Sequence, residues 1–116
     1  MKLYTDESQT AKLIGLGFEK PKRWYVDGVT NNINLYVNID ENPMIFNYSI
    51  GELLSFLPES IKVNGLFFNL CIHSSSDYWI VEYADIAFGT QARLYKEELI
   101  DALFTEIVIL KEERVI

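Results

Sequence analysis

The sequence predicts an α+β fold: one domain with a mainly antiparallel sheet, a long C-terminal amphipathic helix on one face, and two short helices. Three observations lead to this class. Asn64-Gly65 lies between apolar runs, the pattern of a two-residue β-hairpin. Residues 66–73 and 78–85 read as strands joined by Ser74-Ser75-Ser76-Asp77, a loop of antiparallel length. Residues 96–113 carry Leu99, Ile100, Leu103, Phe104, Ile107, Val108 and Leu110 as a broad apolar stripe at helical spacing.

The other elements follow in chain order. Asp6 and Gln9 form an N-cap pair for a helix over 6–16, and Gly17 is placed to end it. Pro21 keeps the chain extended before a strand at 24–26, and Asp27-Gly28 turns it. Residues 31–37 alternate, with Ile33, Leu35 and Val37 on one side, as in a half-buried strand. Residues 40–43 turn the chain again, and 44–48 return as a strand. Ser49-Ile50-Gly51-Glu52 is a capping box, and Ile50, Leu53, Leu54 and Leu57 give the apolar face of a short helix over 50–57. Gly89-Thr90 marks a turn before a short edge strand at 91–95. On the last helix Glu97, Glu98, Asp101, Thr105 and Glu106 take the polar side. Ile109 falls near them, so more than one element covers that helix.

Composition narrows the function classes. The 116 residues suit a single domain, and 49% hydrophobic content supplies one core. One cysteine allows no internal disulfide. The opening residues turn acidic at Asp6-Glu7, where a secretory segment would be apolar, so the expected compartment is the cytoplasm. The apolar run at 103–110 is broken by Thr105 and Glu106, far short of the roughly 20 residues that span a bilayer. Asn47-Tyr48-Ser49 matches a glycosylation sequon, a chance match in a cytoplasmic chain. The net charge of −7 disfavours generic nucleic-acid binding, which needs clustered Lys and Arg.

Several constellations carry reactive groups. Cys71 and His73 are the only cysteine and histidine, and they share a strand face. Same-face neighbours on a strand stand about 6.5–7 Å apart, too far for a ready nucleophile–base hydrogen bond. One Cys and one His do not complete a zinc site. Both are therefore read as structural, and the serines after them as a solvated turn. Lys20, Lys22, Arg23, Trp24 and Tyr25 mix charge with aromatics as single-strand binders do, but most of them belong to a helix-to-strand connection. Glu82 reads as partly buried and paired with Arg93; for Glu82 and Asp85 a structural salt bridge or a rim position is favoured over general acid–base work, since no partner at a catalytic spacing is visible. Glu97, Glu98, Asp101 and Glu106 form a solvated helix face or, on the sharper reading, an acidic docking surface. Gly15-Leu16-Gly17-Phe18 lacks the preceding strand and third glycine of a phosphate cradle. No residue is assigned a catalytic, cofactor-binding or metal-binding role.

The segments LIGLGFEKPKRWYVDG, SIGELLSFLPESI, YWIVEYADI and ELIDALFTEIVILKE resemble stretches of small uncharacterised proteins of phages, prophages and gut-bacterial mobile elements. The resemblance implies a cytosolic accessory protein and brings no catalytic residue with it. The expected function is an interaction or regulatory module acting through contacts with a protein partner, with a homodimer through the C-terminal helix as one form. The alternative is a small enzyme or ligand-binding domain with a pocket between sheet and helix, lined by Trp24, Trp79 and Tyr83.

Overall fold

The computed structural model describes residues 1–21, 24–26, 33–35 and 47–116. Its elements run α1 (Glu7–Gly15), β1 (Trp24–Val26), β2 (Ile33–Leu35), α2 (Ile50–Phe56), β3 (Ser60–Val63), β4 (Leu66–Ser74), β5 (Trp79–Asp85), β6 (Gly89–Lys96) and α3 (Leu99–Glu112). The α+β class is as the sequence predicts: among the described residues there are a four-stranded antiparallel sheet in the order β3-β4-β5-β6 and three helices.

Local chemistry sets the helix ends. The Asp6 carboxylate accepts from the Gln9 backbone N–H at 2.8 Å, and Gln9 Oε1 accepts from the Asp6 N–H at 3.0 Å. These reciprocal bonds satisfy two donors that have no partner within α1. Gly17 at φ +95° closes the far end, with its N–H on the Ile14 carbonyl and the Phe18 N–H on that of Leu13. That is a Schellman motif. Ser49 and Glu52 cap α2 in the same reciprocal way.

The Thr5 N–H bonds to the Tyr48 carbonyl at 2.9 Å, and the Thr5 hydroxyl accepts from the Tyr48 N–H. Tyr4 and Ser49 form an isolated antiparallel bridge. This places the first residues against the start of α2. Residues 47 and 48, expected to finish a strand, are in none. The turns expected at 27–28 and 40–43, the flanks of the strand expected over 31–37, and residues 44–46 lie outside the described residues. β1 and β2 pair antiparallel, Trp24 opposite Leu35.

In the main sheet Asn64 and Gly65 take φ +51° and +82°. Positive φ at both central positions suits the two-residue hairpin the sequence predicts between β3 and β4. β6 begins at Gly89 and runs to Lys96, which pairs with Trp79. This longer strand takes the residue expected to open the last helix, so α3 starts at Leu99 with Glu98 as its N-cap. The Glu98 side chain makes no cap bond to α3; its carboxylate accepts the Lys2 backbone N–H at 2.9 Å.

α3 packs against β5, β6 and α2. Leu99, Ile100, Leu103, Ile107 and Leu110 meet Phe68, Val81, Tyr83, Leu53 and Leu13 in one buried cluster. Sheet and α2 together cover the buried stripe of α3; Ile109 is only partly buried and is not part of that cluster. Among the described residues no helix is long and apolar enough to cross a membrane.

Candidate functional site on the open face of the sheet

Strand alternation divides the sheet into two faces. Phe68, Leu70, Ile72, Val81 and Tyr83 point toward α3 and the core. Phe67, Asn69, Cys71 and His73 of β4 take the other side, with Ile80, Glu82 and Ala84 of β5. No described helix covers this second face. Phe67 is 61% exposed on it, and Tyr95, opposite Ile80, is 51% exposed.

The centre of the open face holds three polar groups. Glu82 is only 7% exposed, although no described helix covers its side of the sheet. His73 and Arg93 enclose it: His73 Nε2 lies 3.3 Å from Oε1, and Arg93 Nε lies 2.9 Å from Oε2. The Arg93 contact is close enough for an ion pair, but the N–H is not aimed along it. Oε2 therefore has no directed hydrogen bond among the described residues.

A bulge in β6 produces this arrangement. Leu94 pairs with Val81 and Gln91 with Tyr83, so Ala92 and Arg93 together face Glu82. Ala92 takes φ +52°, a left-handed conformation that favours glycine. Its partly buried side chain joins the core side. Arg93 is turned outward to Glu82, consistent with the tendency of bulges to re-aim a side chain.

Aromatic rings flank the cluster. The Arg93 guanidinium carbon lies 5.2 Å from the Tyr95 ring centre, and Tyr78 meets Tyr95 edge-on at 5.4 Å. Near the β3–β4 hairpin, Lys62 Nζ lies 5.5 Å from the centre of Phe67. Exposed Ile86 and Phe88 lie in the β5–β6 turn. Asp85 anchors that turn by accepting the Ala87 and Phe88 N–H groups at 2.8 and 3.0 Å.

The sequence-derived candidates take different places. Cys71 and His73 do share the open face, Cys71 half-buried opposite Glu82 and His73 exposed opposite Ile80. Among the described residues no hydrogen bond joins them; His73 turns to Glu82 instead. The Glu82–Arg93 pair is present as expected. Residues 74–77 are an exposed loop closed by the Ser75 N–H on the Tyr78 carbonyl. Lys22, Arg23 and the side chains of Trp24 and Tyr25 lie outside the described residues. Lys20 is exposed beside an open cleft of ≈ 500 Å³ that Glu19, Ser49, Glu52 and Phe56 also line. Ser49 and Glu52 are engaged there in capping α2.

One acidic residue was misplaced on the sequence. Glu106 is not on a solvated helix face; it is fully buried, and neither carboxylate oxygen has a partner among the described residues. Burial, and then the Glu113 carboxylate, push its pKa up to about 8. The helical spacing carried the information: Leu99, Leu103, Glu106 and Leu110 follow one another at i, i+4, i+7 and i+11 along a single stripe. Glu98 and Asp101 are not free either. Asp101 accepts from Lys2 Nζ and from Gln9 Nε2, each at 2.8 Å. Of the rings expected to line a pocket between sheet and helix, Tyr83 is fully buried with its hydroxyl donating to the Pro58 carbonyl at 2.8 Å, and Trp79 is partly buried against the core.

No protein-family model, curated protein or solved structure matches the chain.

Proposed function

We propose that this chain is a cytosolic interaction module, without catalytic activity of its own, that engages a protein partner through the open face of its sheet. The observation that carries the reading is that face. A sheet buries one side against α3, while the other holds exposed Phe67 and Tyr95 around an ordered ionic cluster. Aromatic groups and arginine are the residue types enriched where proteins bind each other. The homodimer through α3 has less to draw on, because most of the α3 stripe is used inside the chain.

The experiment is affinity capture from the native host with two baits, the natural chain and a Phe67→Lys/Tyr95→Lys variant. Both substituted positions are exposed, so the variant is expected to fold. A specific partner held by the natural chain and lost by the variant supports the reading. A partner held equally by both would place binding elsewhere and defeat it. The alternative, a small ligand-binding domain, rests on the cleft beside α2 rather than on a space under the sheet. A thermal shift with a small-molecule library, abolished by Phe56→Ala, is the result that would favour it.

A further inference from the structure

We propose that α3 carries a proton-operated latch: with Glu106 protonated the second half of the helix, residues 106–112, stays in the core, and when Glu106 loses its proton this half unwinds and leaves the core while the first half stays held. The device is internal to the chain and does not rest on any partner of the open sheet face. The buried carboxyl group is the first argument. Glu106 is fully buried, and neither of its oxygens has a hydrogen-bond partner among the described residues. A neutral carboxyl group tolerates such a place. A carboxylate there has lost its hydration with nothing to replace it. Both oxygens are closed off from solvent, so an ionised Glu106 regains water only when the helix that carries it moves.

The charged groups around α3 are the second argument. Glu113, two turns further along, and Tyr83 on β5 are electrostatically linked to Glu106, and neither is a cation. The described cations of the surrounding elements are engaged elsewhere. Arg93 pairs with Glu82 on the other face of the sheet, and Lys96 acts on Asp101. Lys12 pairs with Glu112 at 3.0 Å, Lys111 Nζ lies 5.3 Å from the centre of the Phe18 ring, and Arg114 is exposed beyond the helix end. The acids have their own places as well: Glu52 caps α2, and Asp85 anchors the β5–β6 turn. Proton release therefore sets a second negative charge near that of Glu113, at the end of α3 where the free carbonyls are already partly negative.

The unequal anchoring of the two halves is the third. The first half is tied down: Asp101 accepts from Lys2 Nζ and from Gln9 Nε2, each at 2.8 Å, and Glu98 accepts the Lys2 backbone N–H. The polar ties of the second half, Lys12–Glu112 and Lys111 on Phe18, lie at the surface, where such contacts contribute little. Its hold on the core is apolar, through Ile107 and Leu110, and the ionised Glu106 stands beside them in the sequence. Elements open locally where their stabilising contacts are fewest. Burial and Glu113 hold the Glu106 pKa at about 8, so the latch works close to neutral pH. Once out of the core, Glu106 returns to an ordinary pKa of 4.5. The opening constant then rises by about fiftyfold from pH 6 to pH 8.

The test is amide hydrogen exchange of the whole chain at pH 6 and pH 8, each in a series of low urea concentrations, with rates referred to those of a free chain at the same pH. Local opening exposes little surface and responds weakly to urea, whereas global unfolding responds strongly. Amides 107–112 are expected to exchange by a urea-insensitive opening and to lose about fiftyfold of their protection from pH 6 to pH 8. Amides 102–105 of the held half and 80–83 of β5 are expected to exchange only through the urea-sensitive route. In Glu106→Gln and in Glu106→Leu the protection of 107–112 should change by less than about twofold over the same range, since the titrating group is gone. The Leu variant carries the comparison if the Gln variant does not fold. Three results overturn the proposal. One is the same urea dependence for 107–112 as for 80–83, which would mean that Glu106 reaches water only by global unfolding. Another is an opening that takes in 102–105 as readily as 107–112. The third is a pH dependence of 107–112 that persists in the variants.

Discussion

Two single residues show where local conformation has been traded for geometry. Arg114 at φ +60° ends α3: the Val115 N–H bonds to the Leu110 carbonyl at 2.8 Å and the Arg114 N–H to that of Lys111 at 3.1 Å. This is the motif in which glycine is most at ease. Arg114→Gly should raise stability by about 0.5–1 kcal/mol, since the left-handed penalty of a side chain disappears at an exposed site. Ala92 takes the same backbone region inside β6. Ala92→Val should cost about 1–2 kcal/mol, because a β-branched side chain is a poor fit at positive φ. Urea unfolding of the two variants checks both signs. Cys71→Ser should change stability by less than about 1 kcal/mol, as Cys71 is only half-buried on the open face.

Pairs of elements explain what the sequence made legible. The hairpin at Asn64-Gly65 and the capping boxes at Asp6 and Ser49 depend on neighbours within a few residues, so they could be read from the letters. The shared face of Cys71 and His73 followed from period two alone. Glu82 with Arg93 was legible because opposite charges stood on adjacent strands. The bulge that joins them was not, since Ala92 has none of the usual marks of a left-handed residue. The start of α3 was misplaced because Glu97 and Glu98 read equally well as a first helical turn; pairing of Lys96 with Trp79 decided the matter from outside the segment.

The β5–β6 ion pair gives a prediction at this scale. Glu82 is nearly buried while Arg93 is 43% exposed, so solvent screens the pair from one side. Arg93→Ala should cost about 1–2 kcal/mol, more than a surface pair, because it uncovers a half-neutralised carboxylate. Arg93→Ala made on a Glu82→Gln background should cost less than on the natural chain. A double-mutant cycle measured by urea unfolding reads this difference; a coupling near zero would mean that the two groups do not stabilise each other.

At the scale of the whole molecule, stability against pH is set by carboxylates of opposite kind. Burial works against the charge on Asp101, but hydrogen bonds from Lys2 and Gln9 outweigh it and lower its pKa. That pair ties the first residues to α3, and its contribution is present at neutral pH and lost as the solution becomes acidic enough to protonate Asp101. Glu106 runs the other way. Its pKa rises from 4.5 to about 8, because burial penalises its charge and the Glu113 carboxylate adds to this, and among the described residues its oxygens have no partner. Below pH 4.5 folded and unfolded chains both hold the proton, and Glu106 carries no electrostatic penalty. Between 4.5 and about 8 the unfolded chain releases the proton while the folded chain keeps it. Stability should then fall with rising pH, by at most about 1.4 kcal/mol per pH unit from this one group. Above about 8 both states are ionised and the slope should vanish. Tyr83, a titratable group near Glu106 besides Glu113, has its pKa raised by burial and then by Glu106 itself, so it stays neutral across this window. The expected profile therefore has its maximum in mildly acidic solution. Urea midpoints taken from pH 5 to pH 9 should show the decline in the natural chain and a nearly flat line in Glu106→Gln. Glu106→Leu, which fills the site with an apolar group of similar size, should be more stable than the natural chain at pH 8 and should differ least from it at pH 5. An unchanged slope in both variants would mean that Glu106 is not the group holding the proton.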